Sequence, residues 1–406
     1  MSGKILMLIL DGIGDRSVKE LGGKTPLEAA ETPNLDKFAK KGQNGLMDTI
    51  APGIRPGSDT GHLALLGYDP YQVYRGRGPF EAAGIGMDLD PEDVAFRCNF
   101  ATLEEGKIID RRAGRIKERT DELASAIQTI NLDVNFEFEK AVEHRAVLVF
   151  KGEGLGGKVT DIDPHELDTE FHQAEPLEDS AENKKTAELL NDFMEKSIEV
   201  LSNHPVNLDR KEKGELPANI ILPRGGGKVP YLENIESKHG LISGAISGIP
   251  LVRGVCSLAG MDTLQVKEAT GGLDTDPKAV IDATVEALKE HDFMLVNIKG
   301  CDLSGHDGLP EEKIDFIEKI DSSLGPLDEL EDTYIAITGD HSTPVTVKDH
   351  SGDPLPLAIW GKDVRTDDVN KFNERACSDG GINRVRGEDL LNILKDLADR
   401  TEKFGA

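Results

Sequence analysis

Aspartate and histidine recur where apolar runs end in this 406-residue sequence. Asp11 directly follows the run Lys4–Leu10. The run 293–298 leads within a few residues to Asp302 and His306, and the run 333–338 passes through Gly339 into Asp340 and His341. His350 stands shortly before a further run at 357–360. Aspartate and neutral histidine are ligands for ions of the Mn, Zn or Mg type. The i, i+4 spacing of Asp302 and His306 puts both on one face of a helical turn. Taken singly, each is as readily a turn, a cap or a core residue. Three run ends carrying such ligands within one frame are hard to produce by chance.

A second constellation is Pro56-Gly-Ser-Asp-Thr-Gly-His62, followed by the apolar segment Leu63-Ala-Leu-Leu66. A serine between glycine and aspartate before a helix places its hydroxyl at the helix N-terminus, where backbone amides favour an anion. By itself Ser58 reads as a plain N-cap. Beside two divalent ions it becomes a nucleophile for phosphoryl transfer, passing through a covalent intermediate.

These residues need a frame that gathers them. The runs 4–10, 219–222, 293–298, 333–338 and 357–360 are continuous and apolar, the pattern of strands covered on both faces. Helical periodicity accompanies the later ones: Asp276-Pro277 opens a helix with Val280, Ile281 and Thr284 on one face, and Leu390, Leu391 and Leu394 share another. Strands alternating with helices imply a mostly parallel α/β sheet flanked by helices. In such a sheet, ligands gather at the carboxyl ends of the strands. The middle of the chain reads differently. A hairpin around Glu104-Glu105-Gly106, strands near 136–139 and 146–150, and helices near 118–130 and 181–201 make an α+β pattern. The Gly/Pro-rich stretches near 67–79 and 214–217 read as its hinges. The expected division is a discontinuous metal-binding core of 1–72 and 218–406, interrupted by an inserted domain of 73–217.

The formal net charge is −28, which opposes binding to nucleic acid or to an anionic membrane. An anionic substrate therefore requires positive charge concentrated locally. Four cysteines without a CxxC pair give no disulfide framework or zinc site and fit a reducing cytosol. The run 4–10 ends in Asp11-Gly12 without a small-residue cleavage site, so it reads as a strand and not as a signal peptide. No apolar run is long enough to span a membrane, and a cytoplasmic protein is expected. The oligomeric state is left open, a homo-oligomer included.

Asp11, the Ser-Asp-x-Gly-His stretch at 58–62, Asp302-Leu-Ser-Gly-His306, Thr338-Gly-Asp-His341 and His350 resemble the alkaline phosphatase superfamily. Their order and spacing resemble the cofactor-independent phosphoglycerate mutases over nearly the whole chain. The Gly76-Arg-Gly-Pro79 stretch with Glu81, the strand 95–102 and Leu222-Pro-Arg-Gly-Gly226 are similar to the archaeal branch. The resemblance implies two divalent ions per chain, Mn foremost, with Zn, Co or Mg as alternatives. Asp302, His306 and His350 would hold one. Asp11, Asp340, His341 and the Ser58 oxygen would hold the other, with Ser58 becoming a phosphoserine. Lys238, in Glu236-Ser-Lys-His239, resembles the lysine that reaches the phosphoryl group. Gly57 departs from the asparagine that bacterial members carry before the serine, which puts one substrate hydrogen bond in doubt.

The insert is where the missing positive charge is expected. Arg75 and Arg77 lie at its entry, Arg111, Arg112, Arg115 and Arg119 form a locally basic run, and Arg145 follows His144. Arginine forks take carboxylate and phosphate bidentately. Arg115, Arg77 and Arg224 are the candidates for a small phosphorylated anion. The activity implied is interconversion of 3-phosphoglycerate and 2-phosphoglycerate without bisphosphoglycerate. A metal-dependent phosphatase, phosphodiesterase or other phosphotransferase is the alternative on the same core. A structural metal protein fits poorly, because a structural site is closed.

Overall fold

The computed structural model describes residues 2–405. The chain divides into two compact units, one running up to Val73 and resuming at Leu232, the other Tyr74–Tyr231.

The first unit is built on an eight-stranded sheet. Its order is Asn383–Arg386, Gln43–Asp48, Leu355–Trp360, Thr333–Thr338, Lys4–Leu10, Phe293–Ile298, Ser243–Ser247 and Asp262–Leu264. Lys4–Leu10 runs parallel to both neighbours, while Leu355–Trp360 is antiparallel to both of its own. The central strand is buried from Ile5 to Leu10, which is why its sequence is a continuous apolar run. The register does the gathering. Leu10 pairs with Ile298 and Ile9 with Thr338, so Asp11, Lys299 and Asp340 leave the sheet level with one another at one end. The helix Pro277–Ala287 starts as its sequence requires, with Asp276 accepting a hydrogen bond from the Lys278 amide.

The second unit is an antiparallel five-stranded sheet. Val94–Glu104 lies between Arg145–Phe150 and Ile220–Lys228, with Phe136–Lys140 and Lys107–Asp110 outside. Along Val94–Glu104 the side chains alternate. Phe96, Cys98 and Phe100 enter the core with Phe138, Phe150 and Phe193, and Ala95, Arg97 and Asn99 fall on the other face. The helices Thr120–Ile127 and Ala181–Ser202 supply Leu123, Ile127, Leu190 and Phe193 to that core.

The hairpin, the strands near 136–139 and 146–150, and both helices of the middle region form where the sequence puts them. The run 219–222 does not join the parallel sheet. It belongs to Ile220–Lys228, antiparallel in the second unit, and the boundary lies at 231/232 rather than 217/218. A buried apolar run is equally compatible with either sheet, and only its pairing with Val94–Glu104 decides. Among the described residues no helix is long and apolar enough to cross a membrane.

Candidate active site

At the carboxyl end of the parallel strands three aspartates and three histidines meet. Asp11, Asp340 and His341 offer ligand atoms within 4.8 Å of one another, and so do Asp302, His341 and His350. Gly12 makes the approach possible. Its φ is 72°, and a Cβ there would stand 2.6 Å from the Asp302 Cα, so the turn after Asp11 can carry no side chain.

Hydrogen bonds fix which nitrogen each histidine presents. His350 Nδ1 lies 2.8 Å from the Pro56 carbonyl and His306 Nδ1 3.1 Å from the Lys348 carbonyl. A carbonyl only accepts, so both Nδ1 atoms carry the proton and both Nε2 lone pairs are free. Those Nε2 atoms each lie 3.4 Å from Asp302 Oδ1. His341 is held the same way. The Thr343 hydroxyl donates to Asp302 Oδ1 at 2.8 Å and therefore accepts from His341 Nδ1 at 3.0 Å. Its Nε2 faces Asp340 Oδ2 at 3.3 Å, Asp11 Oδ1 at 3.6 Å and Ser58 Oγ at 3.3 Å. With Nδ1 committed to Thr343, His341 has Nε2 left to present, and that atom faces Asp11 and Asp340. Locking one ring nitrogen so that the other points inward is what metal-binding histidines require.

Ser58 opens the helix Ser58–Leu65, with Thr60 Oγ1 accepting from the Gly57 amide at 3.0 Å. Leu63 and Leu65 bury the helix, and His62 Nδ1 donates to the Ser58 carbonyl at 2.7 Å. Burial pushes His62 down to about 4, so it is neutral near pH 7. Asn297 donates to Asp11 Oδ2 at 2.9 Å, with the same nitrogen 3.3 Å from His62 Nε2.

Lys299 is the cation of this centre. Its Nζ donates to Asp302 Oδ2 at 2.5 Å and to Asp11 Oδ1 at 3.4 Å. Burial opposes ionisation of Asp302, but the Lys299 ammonium holds its carboxyl well below the usual range. Asp340 goes the other way, pushed well up by burial and by the neighbouring Asp11. Two of the three acidic side chains thus share one ammonium, and Asp340 Oδ2 is buried without a hydrogen-bond partner among the described residues. Divalent cations would supply the missing charge and take the orphaned oxygen. The donor set fits them.

Lys238 stands elsewhere. It is exposed on the short helix Ile235–His239, with its ammonium 5.6 Å over the Tyr68 ring. The lysine that touches Asp11 and Asp302 is Lys299, and a lysine just past an apolar run carries no signal of its own.

The second unit carries its own cluster. Arg97 pairs directly with Arg224 across the strands, and Asn99 pairs with Arg145, so all four share one face. Glu81 sits among them, 2.9 Å from Arg77 Nε and 3.6 Å from Arg97 Nε. Burial, with Arg77 next to it, pulls Arg97 well below the ordinary arginine range. Arg224 Nη1 lies 3.6 Å from Asp163, which Arg111 already holds bidentately at 2.6 and 2.7 Å. Arg97 Nε and Arg224 Nε are buried donors without hydrogen-bond partners among the described residues. Such donors are completed by an anion with several oxygens. Arg77 and Arg224 belong to this cluster. Arg115 is exposed, in a turn at φ 56°. The alternation along 95–100 was the signal for Arg97: a charged residue on the face opposite Phe96, Cys98 and Phe100.

A sequence model described as 2,3-bisphosphoglycerate-independent phosphoglycerate mutase matches residues 39–207. A protein of Methanothermobacter thermautotrophicus with that name is 51% identical, over 99% of this chain and 100% of its own. A solved protein of Pyrococcus horikoshii superposes with a TM-score of 0.90 at 41% identity, over 100% of both chains. The cofactor-independent phosphoglycerate mutase of Thermoplasma acidophilum does so with a TM-score of 0.73 at 38% identity, over 98% of this chain and 100% of that one.

Proposed function

The chain belongs to the 2,3-bisphosphoglycerate-independent phosphoglycerate mutase family, and from that premise we propose how its own residues move the phosphoryl group between the 3- and 2-hydroxyls of glycerate. The observation that carries the route is Ser58 Oγ at a helix N-terminus, 3.3 Å from a histidine nitrogen that two carboxylates also face. When bound, two divalent ions, Mn foremost, would lower the pKa of the Ser58 hydroxyl and screen the phosphoryl oxygens. Asp302, His306 and His350 would hold one; Asp11, Asp340, His341 and Ser58 the other.

Ser58 Oγ bonds to phosphorus as the bond from phosphorus to the 3-oxygen breaks, leaving phosphoserine and glycerate. The helix amides face the phosphoserine oxygens. Glycerate then presents its 2-hydroxyl, whose oxygen bonds to phosphorus and gives up its proton as the bond from phosphorus to Ser58 breaks and Oγ regains one. Between the two steps glycerate must be retained and water kept out, because retention gives the alcohol a high effective concentration. We assign the glycerate carboxylate to the arginine face of the second unit, Arg97, Arg224 and Arg145 with Arg77. The cytoplasm is the compartment that suits such an enzyme.

The test is direct. Mn-loaded protein incubated with 3-phosphoglycerate should yield 2-phosphoglycerate with little free phosphate. Free phosphate in excess of 2-phosphoglycerate would make this a hydrolase. The same pair of assays examines the arginine assignment. Arg97→Ala should lower mutase turnover by about 10²-fold and raise the ratio of phosphate release to isomerisation, leaving Mn uptake unchanged. An unaltered ratio would remove Arg97 from the substrate's path.

Lys299→Met gives a separate expectation. A preorganised ammonium beside developing phosphoryl charge contributes about 10²–10³ in rate. kcat should fall by that factor while calorimetry still records Mn uptake. Wild-type kcat in this variant would reduce Lys299 to charge balance.

A further inference from the structure

Lys313, on the helix Pro310–Ser323, has a fully buried side chain. Its Nζ donates to Asp15 Oδ2 at 2.7 Å, to the Thr343 carbonyl at 3.0 Å and to the Gly14 carbonyl at 3.3 Å. An ammonium has three N–H groups, and each finds an acceptor here. Those acceptors lie on two loops, one following Asp11 and one following His341.

The loops are also joined directly. The Thr343 amide donates to the Gly14 carbonyl at 3.1 Å, and the Val345 amide to the Asp15 carboxylate at 3.2 Å. Ile13 and Gly14 form bridges with Ser342, at a distance where a Cβ on Gly14 would meet Ser342 Oγ at 2.1 Å. Thr343 thereby has its carbonyl on Lys313 and its hydroxyl between His341 Nδ1 and Asp302 Oδ1. A buried ion pair is weak evidence for stability, since a well-packed apolar pair often does as well. What an apolar pair cannot do is hold two carbonyls and a carboxylate at a set separation.

We infer that Lys313 is a positioning residue: with Asp15 it holds the two loops at the spacing at which Asp11, Asp340 and His341 converge. The inference rests on the reading that these three residues bind a metal ion. Asp15→Asn/Lys313→Met removes both charges, so no orphan charge is left buried, and the Asn oxygen can still accept from the Val345 amide. The full chain, stripped of metal, is titrated with Mn by calorimetry beside the stripped wild type.

The double variant should unfold within a few degrees of the wild type without metal, yet bind Mn about 10- to 100-fold more weakly. The Mn concentration for half-maximal turnover should rise by the same factor. A merely structural pair would shift the unfolding temperature and leave the affinity alone. Equal Mn affinity in variant and wild type overturns the inference. No Mn uptake by the wild type overturns the metal reading itself, so the two failures are distinct. Should the Met variant not fold, Asp15→Asn/Lys313→Gln keeps one donor for a carbonyl, and the same comparison decides.

Discussion

Ser58→Ala should lose phosphoryl transfer almost entirely, with kcat lower by about 10⁴–10⁶. Among the described residues it is the Ser58 hydroxyl that meets the Asp/His cluster, 3.3 Å from His341 Nε2. The fold should be untouched, because the helix Ser58–Leu65 is held by Leu63, Leu65 and the His62 bond to the Ser58 carbonyl. Alanine keeps that carbonyl. Mn uptake should persist, since Asp11, Asp340 and His341 remain. Acid quench of the wild type with 3-phosphoglycerate, followed by peptide mass analysis, should find phosphate on Ser58 and on no other serine. Near-normal turnover in the variant would end the covalent route and leave direct transfer between bound hydroxyls.

Asp302→Ala should be nearly as damaging, for a different reason. Asp302 is where Lys299, Thr343, His306 and His350 meet. Without it, His306 and His350 face each other with no carboxylate between them. One ion should be lost, so Mn analysis should fall from two per chain to one. The missing ion is worth several kcal/mol of phosphoryl charge stabilisation, which corresponds to kcat lower by about 10³. Lys299 loses its closest partner but keeps Asp11, so the loss of fold stability should be smaller than the loss of activity. Two ions per chain in the variant would mean that Asp302 is not a ligand. One ion in the wild type would reduce the centre to a single-metal site.

The aspartates and histidines gathered at this end of the sheet were legible because their signal is local. An Asp or His just past a continuous apolar run announces a strand end, and Asp11, Asp302, Asp340 and His341 each do so. Ser58 was legible for a similar reason, in a glycine-flanked turn before an apolar helix. Strands with strict alternation, such as the one holding Phe96, Cys98 and Phe100, were also plain. Lys299 was not, because residue type there does not distinguish a lysine that meets Asp11 and Asp302 from a solvated one. Nor was Lys313: the spacing puts it on the buried face with Phe316, Ile317 and Ile320, but no window of sequence names the partners that let a lysine lie there.

The sequence by itself determined which chemistry is available: oxygen and imidazole ligands on strand ends, a serine at a helix start, and an acidic chain whose substrate charge must be met locally. Periodicity and residue type are properties of short windows, and these facts live in short windows. Tertiary structure decided the rest through register and pairing. Leu10 opposite Ile298 and Ile9 opposite Thr338 bring Asp11, Lys299 and Asp340 level. Arg97 opposite Arg224 makes two distant arginines neighbours, and the same pairing draws Ile220–Lys228 out of the parallel sheet. The Thr343 hydroxyl settles which ring nitrogen His341 presents. Each is a relation between distant segments, or a hydrogen bond across a turn, and no short window of sequence contains it.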